Sequence, residues 1–303
     1  MPPQLKAQPN PKTRKPVTVR AVHPNEGVRR WYQTELLALI TEMHLSVSRH
    51  VLAAYAEHEP AEIASDARTK NPSILIRRAL EKWGGIWIRK LDKLSTTLSR
   101  KFASRAFAVS QTQLKAAFKD AGFTVAFQPT PGSVAAYQAV AAEQVNLIKS
   151  IPQQYLKDVQ SKVWQSVMHG GDLHELSLGL QETYGVTADR AALIARDQNA
   201  KAKAVIERTR REEMGITHAI WMHSSGGKVP RATHVAMDGK PYRIAQGMYD
   251  SAEGKYVLPG ELINCRCVSK AVIPAFDDVA TARARALANR PTELFNAARL
   301  RAK

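Results

Sequence analysis

Both cysteines of the chain lie two residues apart, in the motif Asn264-Cys265-Arg266-Cys267. Residues at positions i and i+2 of a strand project from the same face, so both thiols would face one way and Arg266 the other. Two thiolates on one face suit a metal ion better than a mutual disulfide, which would be strained at this separation. Because this pair forms no disulfide framework, we expect a reducing compartment.

A tetrahedral zinc site would need two further ligands beside Cys265 and Cys267. The upstream candidates are His223 and His234, with Asp238 as an oxygen ligand. A complete set of four ligands is not evident. This favours the alternative that the cysteines are small buried apolar residues beside ordinary histidines. We therefore expect no cofactor, and a zinc ion at His234, Cys265 and Cys267 is the alternative.

Catalytic chemistry has little support in the sequence. His234, Asp238, Glu261 and Arg266 could be assembled into a nuclease-like site, but any chain of this length offers such a group. The run from Ser224 to Lys228 lacks the full phosphate-loop pattern and predicts a hairpin turn instead. We expect no catalytic residue. A nucleic-acid-processing enzyme that uses His234, Asp238 and Arg266 is an alternative.

The elements that would position these residues are a long helix and several short strands. A long charged helical pattern over 188–214 predicts the helix, with Thr187 as its N-cap and Asp189 and Arg210-Arg211 near ends that suit the helix dipole. Residues 215–221 predict a strand, and Asp238-Gly239 predicts a turn between extended segments. Three shorter helices are predicted upstream, over residues 133–150, 152–169 and 172–185, the second starting at Pro152.

Two long amphipathic helices are predicted in the N-terminal half, over residues 26–57 and 73–120, and Pro60 would close the first. Gly84-Gly85 would kink or split the second helix. Trp83 and Trp87 fall on its apolar stripe, which indicates core residues rather than base-stacking ones. A β-like segment, 123–127, and a linker, 128–133, follow.

These elements predict an α+β fold that is mostly helical. An N-terminal helical domain is followed by a helical segment and a small β-containing C-terminal module. The predicted domains are a basic extended arm, a basic helical domain, the C-terminal module and a basic tail, over residues 1–25, 26–127, 133–275 and 276–303.

The bulk composition is that of a globular protein. The chain has 303 residues, 44% of them hydrophobic and 23% charged. No run of 18 apolar residues occurs, so we expect no membrane span. The first residues are polar and rich in proline, so we expect no secretory signal.

The formal net charge of +17 is concentrated in one predicted helix. Residues 68–119 hold thirteen Lys or Arg against Glu81 and Asp92. Such clustering favours a polyanion, because neutralised phosphates release counterions. The alternative is a solvated face that serves solubility. The predicted DNA-binding residues are Arg77, Arg78, Arg89, Lys90, Lys93, Arg100, Lys101 and Arg105.

A series of short motifs between Ala195 and Cys267 resembles a known family. They are Ala195-Arg196-Asp197-Gln198, Glu213-Met214-Gly215-Ile216, Trp221, Arg231-x-x-His234-x-x-Met237-Asp238-Gly239-Lys240 and Pro259-Gly260-Glu261-x-x-Asn264-Cys265-Arg266-Cys267. They resemble the phage head morphogenesis domain of the phage Mu F-like minor head proteins. The resemblance covers residues 134–274 and marks as structural-motif residues Arg196, Asp197, Trp221, His234, Asp238, Gly239, Asn264, Cys265, Arg266 and Cys267.

The resemblance implies a minor capsid protein of the virion, present near the portal vertex inside the capsid and in the host cytoplasm during assembly. It implies a role in head assembly and in DNA packaging or delivery. The implied partners are the portal protein, the major capsid protein and non-specific double-stranded DNA, with neither a membrane nor a small-molecule substrate. Two alternatives stay open: an enzyme or toxin-like module, and a pure protein–protein adaptor to the portal or capsid.

The chain departs from the cysteine-rich form of that family. Many members carry Cys-x-x-Cys before the Asp-Gly turn and a histidine three residues before Cys-Arg-Cys. Here those positions hold Arg231, His234 and Leu262. The resemblance therefore implies a loop held by hydrogen bonds and packing, with at most His234, Cys265 and Cys267 left for a metal.

Overall fold

The structure, a computed structural model, describes residues 5–7, 16–56, 72–168, 173–225 and 229–273. Its mostly helical α+β class confirms the predicted fold class. The predicted helix stop at Pro60 and the predicted tail 276–303 lie outside the described residues.

The helices are α1 (Glu26–Ala56), α2 (Pro72–Asp120), α3 (Pro131–Met168), α4 (Leu173–Glu213) and α5 (Ala232–Met237). The strands are β1 (Leu5–Ala7), β2 (Val17–Thr18), β3 (Phe123–Val125), β4 (His218–Met222), β5 (Pro241–Arg243), β6 (Met248–Asp250), β7 (Lys255–Val257) and β8 (Val268–Ile273).

The chain divides into two compact units, which we call the helical unit and the sheet unit. The helical unit comprises residues 25–106 and 137–202, and the sheet unit comprises residues 1–24, 107–136 and 203–303. Helices α2, α3 and α4 each contribute residues to both units. The predicted linker 128–133 lies within the sheet unit, and the predicted domain limits stay predictions.

The helical unit is built on an apolar stripe of α1. The stripe recurs at steps of three and four residues, as one face of a helix requires. Tyr32 packs on Phe102 of α2, with ring centroids 4.4 Å apart, and His50 stacks on Trp83 at 3.5 Å. These two contacts run in opposite chain order, so α1 and α2 are antiparallel. Every member of the stripe is at most 1% exposed: Tyr32, Leu36, Ile40, Met43, Val47 and Val51.

Trp87 is 4% exposed, which confirms its prediction as a core residue, and Trp83 is half-buried against His50. Helix α2 continues through Gly84-Gly85, so the predicted split does not occur. A Cβ at position 84 would lie 3.0 Å from Leu156 of α3. The glycine therefore permits a close approach of α3 to α2 without ending the helix.

Two predicted helix starts are wrong, because the helices run through them. Pro152 lies inside α3, and Thr187 lies inside α4. A proline inside a helix costs about 3 kcal/mol. The neighbours Ile151 and Tyr155 are at most 2% exposed, so their burial on both sides of the proline offsets that cost. Thr187 does not cap a helix, because its Oγ1 donates to the Thr183 carbonyl oxygen, 2.8 Å away and one turn earlier.

The sheet unit contains a four-stranded antiparallel sheet in the order β2-β8-β4-β5. Strand β8 is central, with Ala271 opposite Ala219 of β4 and Ile273 opposite Val17 of β2. Two separate antiparallel pairs, β1-β3 and β6-β7, complete the described strands. The predicted strands 123–127 and 215–221 appear as the shorter β3 and β4.

Residues 16–25 of the predicted N-terminal arm pack on their own chain. Strand β2 pairs with β8, and Val19 and Val22 are 1% and 2% exposed in the core of the sheet unit. A segment this rich in proline and cations buries too little apolar surface to fold alone, so the sequence predicts that the arm is disordered or orders on a partner. The expectation is wrong for these residues, because Val17, Val19 and Val22 supply apolar side chains that the sheet unit buries.

The turn at Asp238-Gly239 forms, but a helix precedes it where an extended segment was expected. Helix α5 has six residues and buries His234 and Met237, which lie three positions apart on one face. Gly239 has φ +71°, and its N–H donates to the Trp221 carbonyl oxygen at 2.9 Å. The turn thus ties α5 to strand β4. Among the described helices, none combines the length and the apolar character needed to cross a membrane.

Candidate functional site

Three side chains of the sheet unit converge at the buried end of α5. His234 Nδ1 lies 3.5 Å from the Cys265 sulfur and 3.6 Å from the Cys267 sulfur. His234, Cys265 and Cys267 are 2%, 4% and 6% exposed. The three ligand-type atoms all lie within 4.8 Å of one another. We call these residues the thiol–imidazole cluster. The structure therefore brings together the three weak metal candidates from the sequence, and places His223 and Asp238 outside the cluster.

The elements around the cluster fix its geometry. The Trp221 ring on β4 packs edge-on against His234, with centroids 5.1 Å apart. The two cysteines lie in the segment that leads into β8, and Gly260 N–H donates to the Cys265 sulfur at 3.3 Å. Asn264 adopts a positive φ of 60°, which turns the chain between Ile263 and Cys265. A strand end, a short helix and a tight turn thus each contribute to holding the cluster.

Asp250 was not expected at this site. It is fully buried, and its Oδ2 lies 3.2 Å from His234 Nε2, on the side of the ring away from the sulfurs. The contact is close but not aligned as a hydrogen bond, and both atoms lack another hydrogen-bond partner among the described residues. Asp250 Oδ1 accepts the Ala252 N–H at 2.9 Å. The sequence signalled only a turn here, because an aspartate that accepts from the residue two ahead is typical of turns.

The surroundings shift the pKa values of the cysteines in opposite directions. A hydrogen bond from Cys267 lowers the pKa of the Cys265 thiol well below its ordinary range, although burial opposes this. The same hydrogen bond, together with burial, raises the pKa of the Cys267 thiol. For Asp250, burial acts to raise the pKa, but hydrogen bonds led by that from Ala252 outweigh it and the pKa is lowered. The cluster therefore favours one thiolate, at Cys265, over two.

The remaining loop residues of the motif have structural contacts. The Asp238 carboxylate accepts the His223 N–H at 2.8 Å, which holds the chain just beyond β4. Arg231 Nη2 donates to the Ile263 carbonyl oxygen at 3.0 Å, so it bridges the segment before α5 to the cysteine loop. Arg266 is exposed. Of the residues of the enzyme alternative, His234 is buried, whereas Asp238 and Arg266 are exposed.

The first part of the motif lies elsewhere, on α4 within the helical unit. Asp197 is 7% exposed and forms an ion pair with Lys201 at 2.9 Å. The adjacent Gln198 accepts a hydrogen bond from Gln144 at 2.7 Å, and Gln144 in turn accepts from Tyr32 at 2.9 Å. Arg196 is half-buried beside them. These residues therefore belong to the polar interior of the helical unit.

Comparison with known proteins connects both parts of the motif. Residues 157–270 match the family model described as Phage Mu protein F like protein. This segment is similar to the phage Mu F-like family. The match supports the resemblance seen in the sequence, and the matched family suggests a phage head morphogenesis protein. The matched segment includes residues of both compact units, since α4 contributes to each.

A second comparison extends the similarity beyond this segment to most of the chain. The relative is an uncharacterized protein of Haemophilus influenzae (strain ATCC 51907 / DSM 11121 / KW20 / Rd), 27% identical over 266 residues. The alignment covers 86% of this chain and 56% of the relative, so this chain spans little more than half of that protein. No solved structure matches the chain.

A charge ladder on α4 was not predicted from the sequence. Lys203, Glu207 and Arg211 follow one another at i, i+4 spacing on α4, and their side chains are at most 5% exposed. Glu207 pairs with both cations. Arg211 also donates to the Ser269 hydroxyl at 2.7 Å and to the Ser269 carbonyl oxygen at 3.0 Å. The ladder fastens α4 to the central strand β8, and its spacing was the available signal.

The predicted DNA-binding residues all lie on α2 within the helical unit. Seven of the eight are exposed and Lys90 is half-buried, with an ion pair to Glu42 and a contact of 4.3 Å to the Trp87 ring. Arg105 stacks over Trp31 at 4.1 Å. Arg77 lies 3.7 Å from Glu81. Ion pairs are absent, among the described residues, from Arg78, Arg89, Lys93, Arg100 and Lys101.

Proposed function

We propose that the chain is a minor head protein of a tailed phage that acts near the portal, assists head assembly and DNA packaging or delivery, and binds double-stranded DNA without sequence preference. The match to a head morphogenesis family supports the assembly role. The observation that carries the DNA role is a line of exposed cations on α2. We call it the basic stripe, and its members are Arg78, Lys82, Arg89, Lys93 and Arg100.

The basic stripe follows one face of the helix. Its members recur at steps of four and seven residues, which keeps them within about 60° around the axis at 3.6 residues per turn. From Arg78 to Arg100 the helix rises about 33 Å. One turn of B-DNA is about 34 Å long, so the stripe could meet phosphates along one turn of duplex. Its dimensions suit the backbone of DNA rather than a small anion.

The acidic residues of this part of α2 do not neutralise the stripe. Asp92 forms an ion pair with Lys149 at 2.6 Å, and Glu81 lies beside Arg77 at 3.7 Å. Both carboxylates are therefore matched by cations outside the stripe. Lys82 approaches the Trp83 ring at 5.5 Å but stays exposed. The five cations of the stripe are therefore available to bind a partner, and a line of cations favours a polyanion.

Salt dependence of DNA binding tests this role. If all five cations contact phosphate, log K falls with log salt at a slope of about −4.5, and the affinity drops about 500-fold between about 50 and 200 mM salt. Replacing the five by glutamine should bring the slope close to zero. The measurement is a fluorescence anisotropy titration of full-length chain against a duplex at several salt concentrations.

A matched control separates the stripe from bulk charge. Glutamine at five exposed cations elsewhere, Lys119, Lys157, Lys240, Arg243 and Lys255, changes the net charge by the same amount. This variant should keep most of the slope. Equal losses in both variants, or no binding by the unaltered chain, would reject the stripe as a DNA contact. Mass spectrometry of purified virions tests the head location, and absence of the chain from virions would contradict it.

A further inference from the structure

The thiol–imidazole cluster has the dimensions of a metal-binding set. In a tetrahedral zinc site with Zn–S of about 2.3 Å and Zn–N of about 2.1 Å, a sulfur and a nitrogen ligand lie about 3.6 Å apart. The two distances from His234 Nδ1 to the sulfurs of Cys265 and Cys267 are 3.5 and 3.6 Å. Two soft sulfurs and one imidazole nitrogen are donors that suit zinc better than they suit hard cations.

The far side of the imidazole supports the same reading. A histidine that binds zinc through one nitrogen commonly donates its other N–H to a carboxylate, which fixes the ring and its tautomer. Asp250 Oδ2 lies 3.2 Å from His234 Nε2, and both residues are at most 2% exposed. Neither atom has another hydrogen-bond partner among the described residues. A metal on Nδ1 requires the proton on Nε2, and a small rotation of the ring or of the carboxylate would align that N–H with Asp250 Oδ2, 3.2 Å away.

The backbone also provides a contact suited to a metal-bound thiolate. Gly260 N–H donates to the Cys265 sulfur at 3.3 Å, and the sulfur is buried. An N–H directed at a thiolate stabilises its negative charge where water is excluded. The cluster therefore contains three donor atoms, a carboxylate behind the histidine and a hydrogen bond to one sulfur.

We propose that His234 Nδ1 and the sulfurs of Cys265 and Cys267 bind one zinc ion, with water as the fourth ligand and Asp250 as the hydrogen-bond partner of His234. The ion would join α5 to the segment that leads into β8. It would fasten two parts of the sheet unit that are separated along the chain. The site does not depend on the proposed DNA contact, which lies in the helical unit.

Metal analysis of the full-length chain, purified under reducing conditions, tests the site. We expect about one zinc ion per chain by mass spectrometry of the metal content. Replacing zinc by cobalt should give visible bands of tetrahedral Co²⁺ and a near-ultraviolet thiolate-to-metal band. That band reports sulfur ligands and would not arise from adventitious histidine binding. Absence of both zinc and the thiolate band after metal addition would overturn the proposal, since a metal-free cluster of S–H and imidazole hydrogen bonds predicts this outcome.

Variants locate the ion. Cys265→Ser and Cys267→Ser should each lower the zinc affinity by more than about 100-fold, and Asp250→Asn by about 10- to 100-fold. His223→Gln is the matched control, because this histidine lies in the loop after β4 outside the cluster. The His223→Gln variant should bind zinc as tightly as the unaltered chain. Zinc retained at full affinity in both serine variants would place the ion elsewhere and reject the site. If a serine variant fails to fold, the cobalt spectrum of the unaltered chain still decides whether thiolates bind the metal.

Discussion

Glu207 should be one of the most sensitive positions for the stability of the sheet unit. Its carboxylate is 4% exposed and pairs with Lys203 and Arg211, which are buried to a similar degree. Replacing it by glutamine keeps the shape but removes the negative charge. Two cations then stay buried with no anion between them. Breaking a buried pair from one side costs about 3–5 kcal/mol.

The ladder also predicts a ranking of substitutions. Burial lowers the pKa of Lys203, so this residue can lose its charge when its anionic partner is removed. Lys203→Met leaves Glu207 paired with Arg211 and should cost less than Glu207→Gln. The matched control is Glu182→Gln, which breaks a solvent-exposed pair with Lys162 and should cost far less, because water screens that pair.

Urea unfolding followed by circular dichroism measures these differences, with the m-value checked for constancy. Thermal unfolding should agree, because 3–5 kcal/mol corresponds to a fall in Tm of about 6–20 °C for a unit of this size. A Glu207→Gln variant within about 1 kcal/mol of the unaltered chain would refute the reasoning. So would a Lys203→Met variant that is less stable than Glu207→Gln.

Two further predictions concern a histidine and a glycine. Burial lowers the pKa of His44, whose Nδ1 lies 3.0 Å from the Tyr155 hydroxyl. As the pH falls through about 6.5, this histidine therefore binds a proton more readily in the unfolded chain than in the folded one, and the stability of the fold should decrease. Urea unfolding from pH 7.5 to 5.5 should show a weaker dependence in His44→Gln, and an unchanged dependence would contradict the assignment. Gly247 and Gly254 both have positive φ. A Cβ added at Gly247 would lie 2.3 Å from the Val257 carbonyl oxygen, whereas a Cβ added at Gly254 would have no neighbouring atom within 4 Å. Gly254→Ala should therefore cost about 1 kcal/mol and Gly247→Ala clearly more, and equal losses in urea unfolding would show that the hairpin β6–β7 relaxes.

The sequence allowed prediction of what depends on local pattern. The α1 stripe from Leu36 to Val51 follows from helical periodicity, because it buries one face of the helix. The strand predicted over residues 215–221 is observed as β4. Element ends were predicted less well. Pro152 and Thr187 are typical of helix starts, but tertiary burial around Ile151 and Tyr155 holds a continuous helix through the proline. Tertiary packing of long helices overrides local start signals of this kind.

The candidate site was predictable in part. The spacing of Cys265 and Cys267 indicated a shared face, and His234 was among the candidate partners. Asp250 was not, because its place behind the histidine depends on how β6 lies against α5. The basic residues of α2 were predicted from composition alone, but the distinction between paired cations such as Lys90 and those of the basic stripe needed the neighbouring helices.

The central position of β8 has a consequence for the order in which the chain can fold. Strand β8 is the last described strand to leave the ribosome, and in the described sheet it is the partner of β2, from near the start of the chain. The helical unit ends at Ala202, so all its residues are synthesised earlier. Until residues 268–273 emerge, β2 has no described partner in the sheet and β4 keeps an open edge, which is a template for pairing with other chains. Such high contact order makes sheet closure a late and slow step. A chain released before Val268 should therefore hold a folded helical unit beside unpaired, aggregation-prone strands.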